Sequence, residues 1–95
     1  MRRRNELPVE VVFALPEEQV LVALRLEEGK TVEDAIAASG LYERFPRHDL
    51  KNFDTGIWGR LVPRTERLRS GDRVELYRPL RLDPRDARRE RASGA

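Results

Sequence analysis

Two stretches that alternate apolar and other residues with a period of two lie only a few positions apart, and this constrains the fold more than any other feature. In the first, Val9, Val11, Phe13 and Leu15 share one face, while Glu10, Val12 and Ala14 share the other. In the second, Val20, Val22, Leu24 and Leu26 oppose Gln19, Leu21, Ala23 and Arg25. A period of two is that of a strand, and Pro16-Glu17-Glu18 is short enough to be the turn of a hairpin. The chain therefore opens as an antiparallel pair, whose apolar face needs a second layer to cover it.

Glu27-Glu28-Gly29-Lys30 breaks the alternation, and Thr31 followed three residues later by Asp34 is a helix N-cap signature. Val32, Ala35, Ile36 and Ser39 then recur at helical spacing, and Gly40 suits a left-handed helix end. The helix is about two turns long. From Leu41 to Asp54 no clean period appears, so this stretch reads as a short helical turn and a loop anchored by Tyr42, Phe45 and Phe53. Thr55 to Val62 reads as one or two short strands, Ile57 and Leu61 on one side and Trp58 and Val62 on the other, with Gly56 and Gly59 allowing a bend or a close approach. Ser70-Gly71-Asp72 is a turn, and Arg73 to Tyr77 alternates once more before Pro79 ends the ladder. The order strand, strand, helix, strands is that of an α+β domain.

Ninety-five residues allow a single core. No cysteine is present, which excludes disulfides, thiolate metal sites, cysteine-ligated iron–sulfur clusters and thiol nucleophiles, and one histidine leaves little for metal or triad chemistry. His48 beside Asp49 reads as a solvated loop residue, since neighbours in a loop seldom aim at one another and no nucleophile stands nearby. No catalytic residue, metal site or cofactor is assigned. The formal charge of +2 is carried by the ends: Arg2, Arg3 and Arg4 at one, five arginines from Arg81 onward at the other, while residues 5–80 hold 11 basic and 14 acidic side chains. A mildly acidic body is unlike a domain built around a phosphate-tracking groove, so no DNA partner is expected. No run approaches the roughly 20 apolar residues that span a bilayer, and the chain is expected to be cytoplasmic. The terminal arginines would support at most peripheral contact with anionic lipid, at about 1 kcal/mol each.

These segments resemble the RnfH family of ubiquitin-like β-grasp proteins. The residues that carry the resemblance are Val9 to Pro16, Thr31 to Ile36 with Ser39-Gly40, Gly56 to Val62, and above all Leu68 to Leu80 followed by Asp83-Pro84. The resemblance implies a mixed four- to five-stranded sheet gripping one helix. The corresponding division is a basic extension over 1–8, the β-grasp domain over 9–80, and a basic tail over 81–95 that is mostly disordered or a frayed helix opened by Asp83 and Pro84. It also implies a small non-enzymatic protein, either accessory to a membrane electron-transport complex or one member of a toxin–antitoxin pair. The alternative function is that of a sulfur carrier of this fold, which ends in a flexible Gly-Gly; Ser93-Gly94-Ala95 departs from that pattern unless processing exposes Gly94.

If the first strands turn Val9, Val11, Phe13, Val20, Val22 and Leu24 toward the helix, together with Ile57, Leu61, Val74 and Leu76, alternation places Val12, Leu21, Trp58, Val62 and Tyr77 on the opposite face. An uncovered face should be mostly polar, so this set, flanked by Arg60, Glu75 and Arg78, has the makeup of a protein-binding surface. The other reading has Trp58 or Val62 covered by residues 41–54. A second candidate is the cationic string Arg60, Arg64, Arg67, Arg69 and Arg73, which could meet an acidic partner or RNA, with bases stacking on Trp58 or Tyr77.

Overall fold

The computed structural model describes residues 5–78, and the expectations for the tail after 78 and for the first four residues lie outside that range. The opening alternation forms strands β1 (Glu6–Ala14) and β2 (Gln19–Glu27), paired antiparallel from Glu6 opposite Glu27 to Ala14 opposite Gln19. The turn closes with the Leu15 N–H donating to the Glu18 carbonyl at 2.7 Å. β1 starts three residues before Val9, so residues 6–8 of the expected basic extension belong to the sheet.

Helix α1 (Val32–Ala38) begins where the sequence places it. The Thr31 hydroxyl accepts from the Asp34 N–H at 3.2 Å, and the Asp34 carboxylate accepts from the Thr31 N–H at 2.9 Å, a reciprocal capping box. Two more of the N–H groups left open at a helix start are met from far along the chain: Val32 donates to the Glu66 carbonyl and Glu33 to that of Arg64. Gly40 takes φ +80, and the chain passes into a one-turn helix α2 (Leu41–Arg44) and two short 3-10 turns (Pro46–His48 and Leu50–Asn52). Of the aromatic anchors expected for this aperiodic segment, Phe53 is buried and Tyr42 and Phe45 pack half-buried against the core, while Leu41 and Leu50 are buried beside them.

Strands β3 (Asp54–Ile57), β4 (Arg60–Val62) and β5 (Arg73–Tyr77) complete one sheet in the order β2-β1-β5-β3-β4. β5 runs parallel to β1 and antiparallel to β3. Val9, Val11, Phe13, Val20, Ile57, Val74 and Leu76 meet Val32, Ala35 and Ile36 of α1 in one core, closed by Leu41, Leu50, Phe53 and Leu68. Burying such side chains contributes roughly 1.5–3 kcal/mol each.

Two expectations are corrected here. His48 is half-buried, its ring edge-on to Phe13 at 5.7 Å and to Phe45 at 5.6 Å, because the 3-10 turn starting at Pro46 folds it back onto the aromatic cluster. The second concerns phase. β3 and β4 are separate strands joined by the two residues Trp58 and Gly59, so Ile57 lies opposite Arg60, Gly56 opposite Leu61 and Thr55 opposite Val62. Residues opposite one another share a face, and a two-residue turn therefore reverses the parity that a continuous strand would keep. Val62 packs against the core and Leu61 faces outward, the reverse of the sequence expectation.

Candidate functional site

The register lays out the face that α1 does not cover. One row runs Leu21, Val12, Glu75, Gly56, Leu61 across all five strands, and the adjacent row runs Ala23, Glu10, Arg73 and ends at the Trp58-Gly59 turn. Of the expected site residues, Leu21 is 48% exposed and Trp58 59%, and Leu61, which replaces Val62, is 67% exposed. Val12 sits on the outward face but is only 6% exposed, because it is in an interior strand with Leu21 and Glu75 as neighbours on either side. It offers a partner little surface. Leu21 is four strands from Leu61, about 19 Å at the usual strand spacing, so the two do not form one patch. The site contracts to the β3–β4 end of the sheet, Trp58, Leu61 and Tyr77, with Arg78 exposed; Arg60, expected beside this patch, lies opposite the core residue Ile57 and so is exposed on the α1 side of the edge strand.

Trp58 is held firmly although its ring is largely in water. Its φ of +48 and that of Gly59, +82, define a type I′ turn between the paired residues Ile57 and Arg60. Its indole N–H donates to the Gly71 carbonyl at 3.1 Å, and the Arg73 guanidinium lies 4.7 Å from the ring centroid. Arg73 is in turn fixed by Glu10, Nε to Oε1 at 2.9 Å. A cation over the indole contributes about 0.5–1 kcal/mol at an exposed site.

Tyr77 lies flat across the sheet over Gly56, where a Cβ would overlap its ring. Its hydroxyl donates to Glu75 Oε1 at 2.5 Å, the same oxygen that accepts the Gly59 N–H at 2.8 Å. Partial burial and this donation to a carboxylate push the phenol up to about 12. Glu75 thus ties Tyr77 to the turn that presents Trp58. The sequence sets Glu75 beside this patch and allows Gly56 a close approach; the bond from Tyr77 to Glu75 and the pairing of Glu10 with Arg73 follow only from the strand register.

The cationic string does not survive as a string. Arg64 is turned inward: Nη1 donates to Glu33 Oε1 at 2.6 Å and to the Tyr42 hydroxyl at 3.0 Å, and Nη2 to the carbonyls of Leu50 and Phe53 at 2.6 and 2.8 Å. It joins α1, α2 and the segment before β3. Burial and donation to Glu33 raise the Tyr42 phenol above its ordinary value. With Arg73 paired to Glu10, only Arg60, Arg67 and Arg69 of the five remain without an ion pair among the described residues.

Two open cavities flank Trp58. One, about 440 Å³, lies on the outward face between Pro8, Ala23, Arg25 and Arg73; the other, about 420 Å³, lies beside Arg60, Arg67 and Arg69. Among the described residues no cluster of metal-ligating side chains occurs, and no helix is long and apolar enough to cross a membrane.

A five-stranded mixed sheet with β1 and β5 parallel at its centre and one helix across it is a ubiquitin-like β-grasp. The fold is shared with a solved structure, a putative molybdopterin converting factor subunit 1 from Pyrococcus furiosus, at TM-score 0.58 and 23% identity over 78% of this chain and 99% of that one. Residues 7–91 match the family model described as RnfH family Ubiquitin. The chain belongs to the RnfH family: it is 45% identical to Protein RnfH of Halorhodospira halophila over 98% of this chain and 96% of that protein. Protein RnfH of Cronobacter sakazakii is 51% identical over 96% of this chain and 95% of its own length.

Proposed function

We propose that this RnfH-family protein is a non-catalytic recognition module that binds a protein partner through the β3–β4 end of its uncovered sheet face, with Trp58 and Leu61 as the buried anchors. The observation that carries this reading is the conformation of Trp58. The first position of a type I′ turn favours asparagine, and a bulky residue in left-handed backbone costs about 1–2 kcal/mol. Here a tryptophan occupies it, and the ring is pinned rather than buried. A side chain that is strained, ordered and wet does little for the fold and much for a partner: Trp loses few rotamers on binding and is enriched at interface hot spots. Tyr77 and Arg78 form the polar rim.

Both roles implied by the family resemblance, accessory to an electron-transport complex and member of a toxin–antitoxin pair, require such a surface. The test is a photoreactive residue placed at Leu61, and as control at Glu43 on α2, in the full chain expressed in its native cell. The expected result is a discrete protein adduct from position 61, absent from position 43 and lost when Trp58→Ala is added. Equal adducts from both positions, or an adduct to RNA, would overturn the reading.

A further inference from the structure

The cleft beside Arg60, Arg67 and Arg69 specifies the chemistry of the partner. The segment after β4 is bound to the domain at intervals: the Thr31–Arg67 bridge, Leu68 N–H to the Lys30 carbonyl at 2.9 Å, and Gly71 N–H to the Pro8 carbonyl at 2.7 Å. Leu68 is buried in the core, so its extended neighbours Arg67 and Arg69 are turned to solvent on either side of it. Arg60 joins them from the start of β4, and Trp58 forms the wall the cleft shares with the outward face.

The lining also contains Glu66 and Asp72. The Asp72 carboxylate accepts the Arg69 backbone N–H at 2.8 Å, which uses it to close the turn, and neither acid lies within ion-pair distance of the three guanidinium groups. Three other arginines are paired, Arg64 with Glu33, Arg73 with Glu10 and Arg25 with Glu6, while Arg44, Arg47 and Arg78, which also carry no ion pair among the described residues, do not line this opening. Three guanidinium groups on a fixed backbone around one opening are a local excess of positive charge that an anionic ligand relieves, and the cost of ordering their backbone is already met by folding.

We infer that this cleft receives a carboxylate-rich segment of the partner protein, acidic side chains meeting Arg60, Arg67 and Arg69 and an adjacent apolar side chain lying on Trp58. The inference rests on Trp58 being a recognition residue, as proposed above, and adds the charge and form of what it recognises. A peptide is favoured over a single-stranded nucleic acid because Glu66 and Asp72 interrupt the cations and the body between the termini is mildly acidic, which opposes a continuous phosphate track.

Trp58 is the only tryptophan in the chain, so its fluorescence reports directly on the cleft. The full-length protein is titrated with a capped Glu-Glu-Leu-Glu-Glu-Leu peptide, with a capped Lys-Lys-Leu-Lys-Lys-Leu peptide, and with a 12-nucleotide oligouridylate. The expected result is a saturable emission change with the acidic peptide alone, weakened by added salt and reduced about tenfold or more in apparent affinity by Arg67→Glu with Arg69→Glu. Should the charge reversal unfold the protein, Arg67→Gln with Arg69→Gln gives a smaller loss in the same direction. The inference fails if the acidic peptide produces no saturable change, if the substituted protein binds it equally, or if oligouridylate binds more tightly and loses that binding on charge reversal. The crosslink at Leu61 is independent of these cations, so its persistence alongside a failed titration would remove the acidic-segment inference and leave the recognition face standing.

Discussion

Replacing Arg64 tests whether a single buried-side cation organises the irregular third of this fold. Its guanidinium makes four hydrogen bonds to Glu33, Tyr42, Leu50 and Phe53, and no other described side chain bonds to the last two carbonyls. A neutral hydrogen bond contributes about 0.5–1.5 kcal/mol net and one to a charged group about 1.5–3. At the neutral rate, which suits a guanidinium that keeps part of its hydration, two carbonyls and one hydroxyl contribute about 1.5–4.5 kcal/mol. Glu33 is 42% exposed, so its ion pair is screened and adds at most about 1 kcal/mol. Arg64 is itself 22% exposed, which admits water to part of the vacated site. The expected cost of Arg64→Ala is therefore about 2–3 kcal/mol, a fall in Tm of roughly 10–20 °C for a domain of this size. Arg64→Lys keeps the charge but loses the fork that reaches two carbonyls and a carboxylate together, and should cost about half as much. Thermal and urea unfolding followed by circular dichroism measure both. A loss below about 1 kcal/mol for Arg64→Ala would refute the view that this network holds the segment between α1 and β3 in place.

Trp58→Asn installs the residue a type I′ turn prefers; unfolding midpoints should change by less than about 1 kcal/mol either way while the Leu61 crosslink disappears, and a loss above about 2 kcal/mol would show that Trp58 serves the fold. Gly56→Ala forces a methyl group into the Tyr77 ring and should destabilise by about 1–3 kcal/mol, most of it recovered when Tyr77→Ala is added; a double-mutant cycle without coupling would contradict the stacking. Because the Tyr77 phenol is raised to about 12 from an ordinary 10, its protonated form is favoured in the folded state. That contribution is whole below pH 10 and is lost as pH rises through 12. Absorbance titration at 295 nm should show no step from Tyr77 near pH 10, and Tyr77→Phe should remove the late one.

Much of this protein is legible locally. The hairpin, the capping box at Thr31 and Asp34, and the turn at Gly71 each depend on residues within a few positions of one another, and alternation alone turns Val11, Phe13 and Val20 inward. The basic character of the ends and the absence of thiol chemistry likewise need only the residues themselves. Tertiary structure decided what each exposed-looking residue is for. A two-residue turn at Trp58 exchanged the faces of Leu61 and Val62, since hairpin pairing and not position in the chain sets which side chains share a side. His48 is half-buried because Phe13, distant in sequence, meets Phe45 beside it. Five arginines that read alike divided into two that fasten the fold and three that do not, because an ion pair forms where the backbone brings a carboxylate within reach, and Glu33 and Glu10 reach Arg64 and Arg73 only after the sheet has closed.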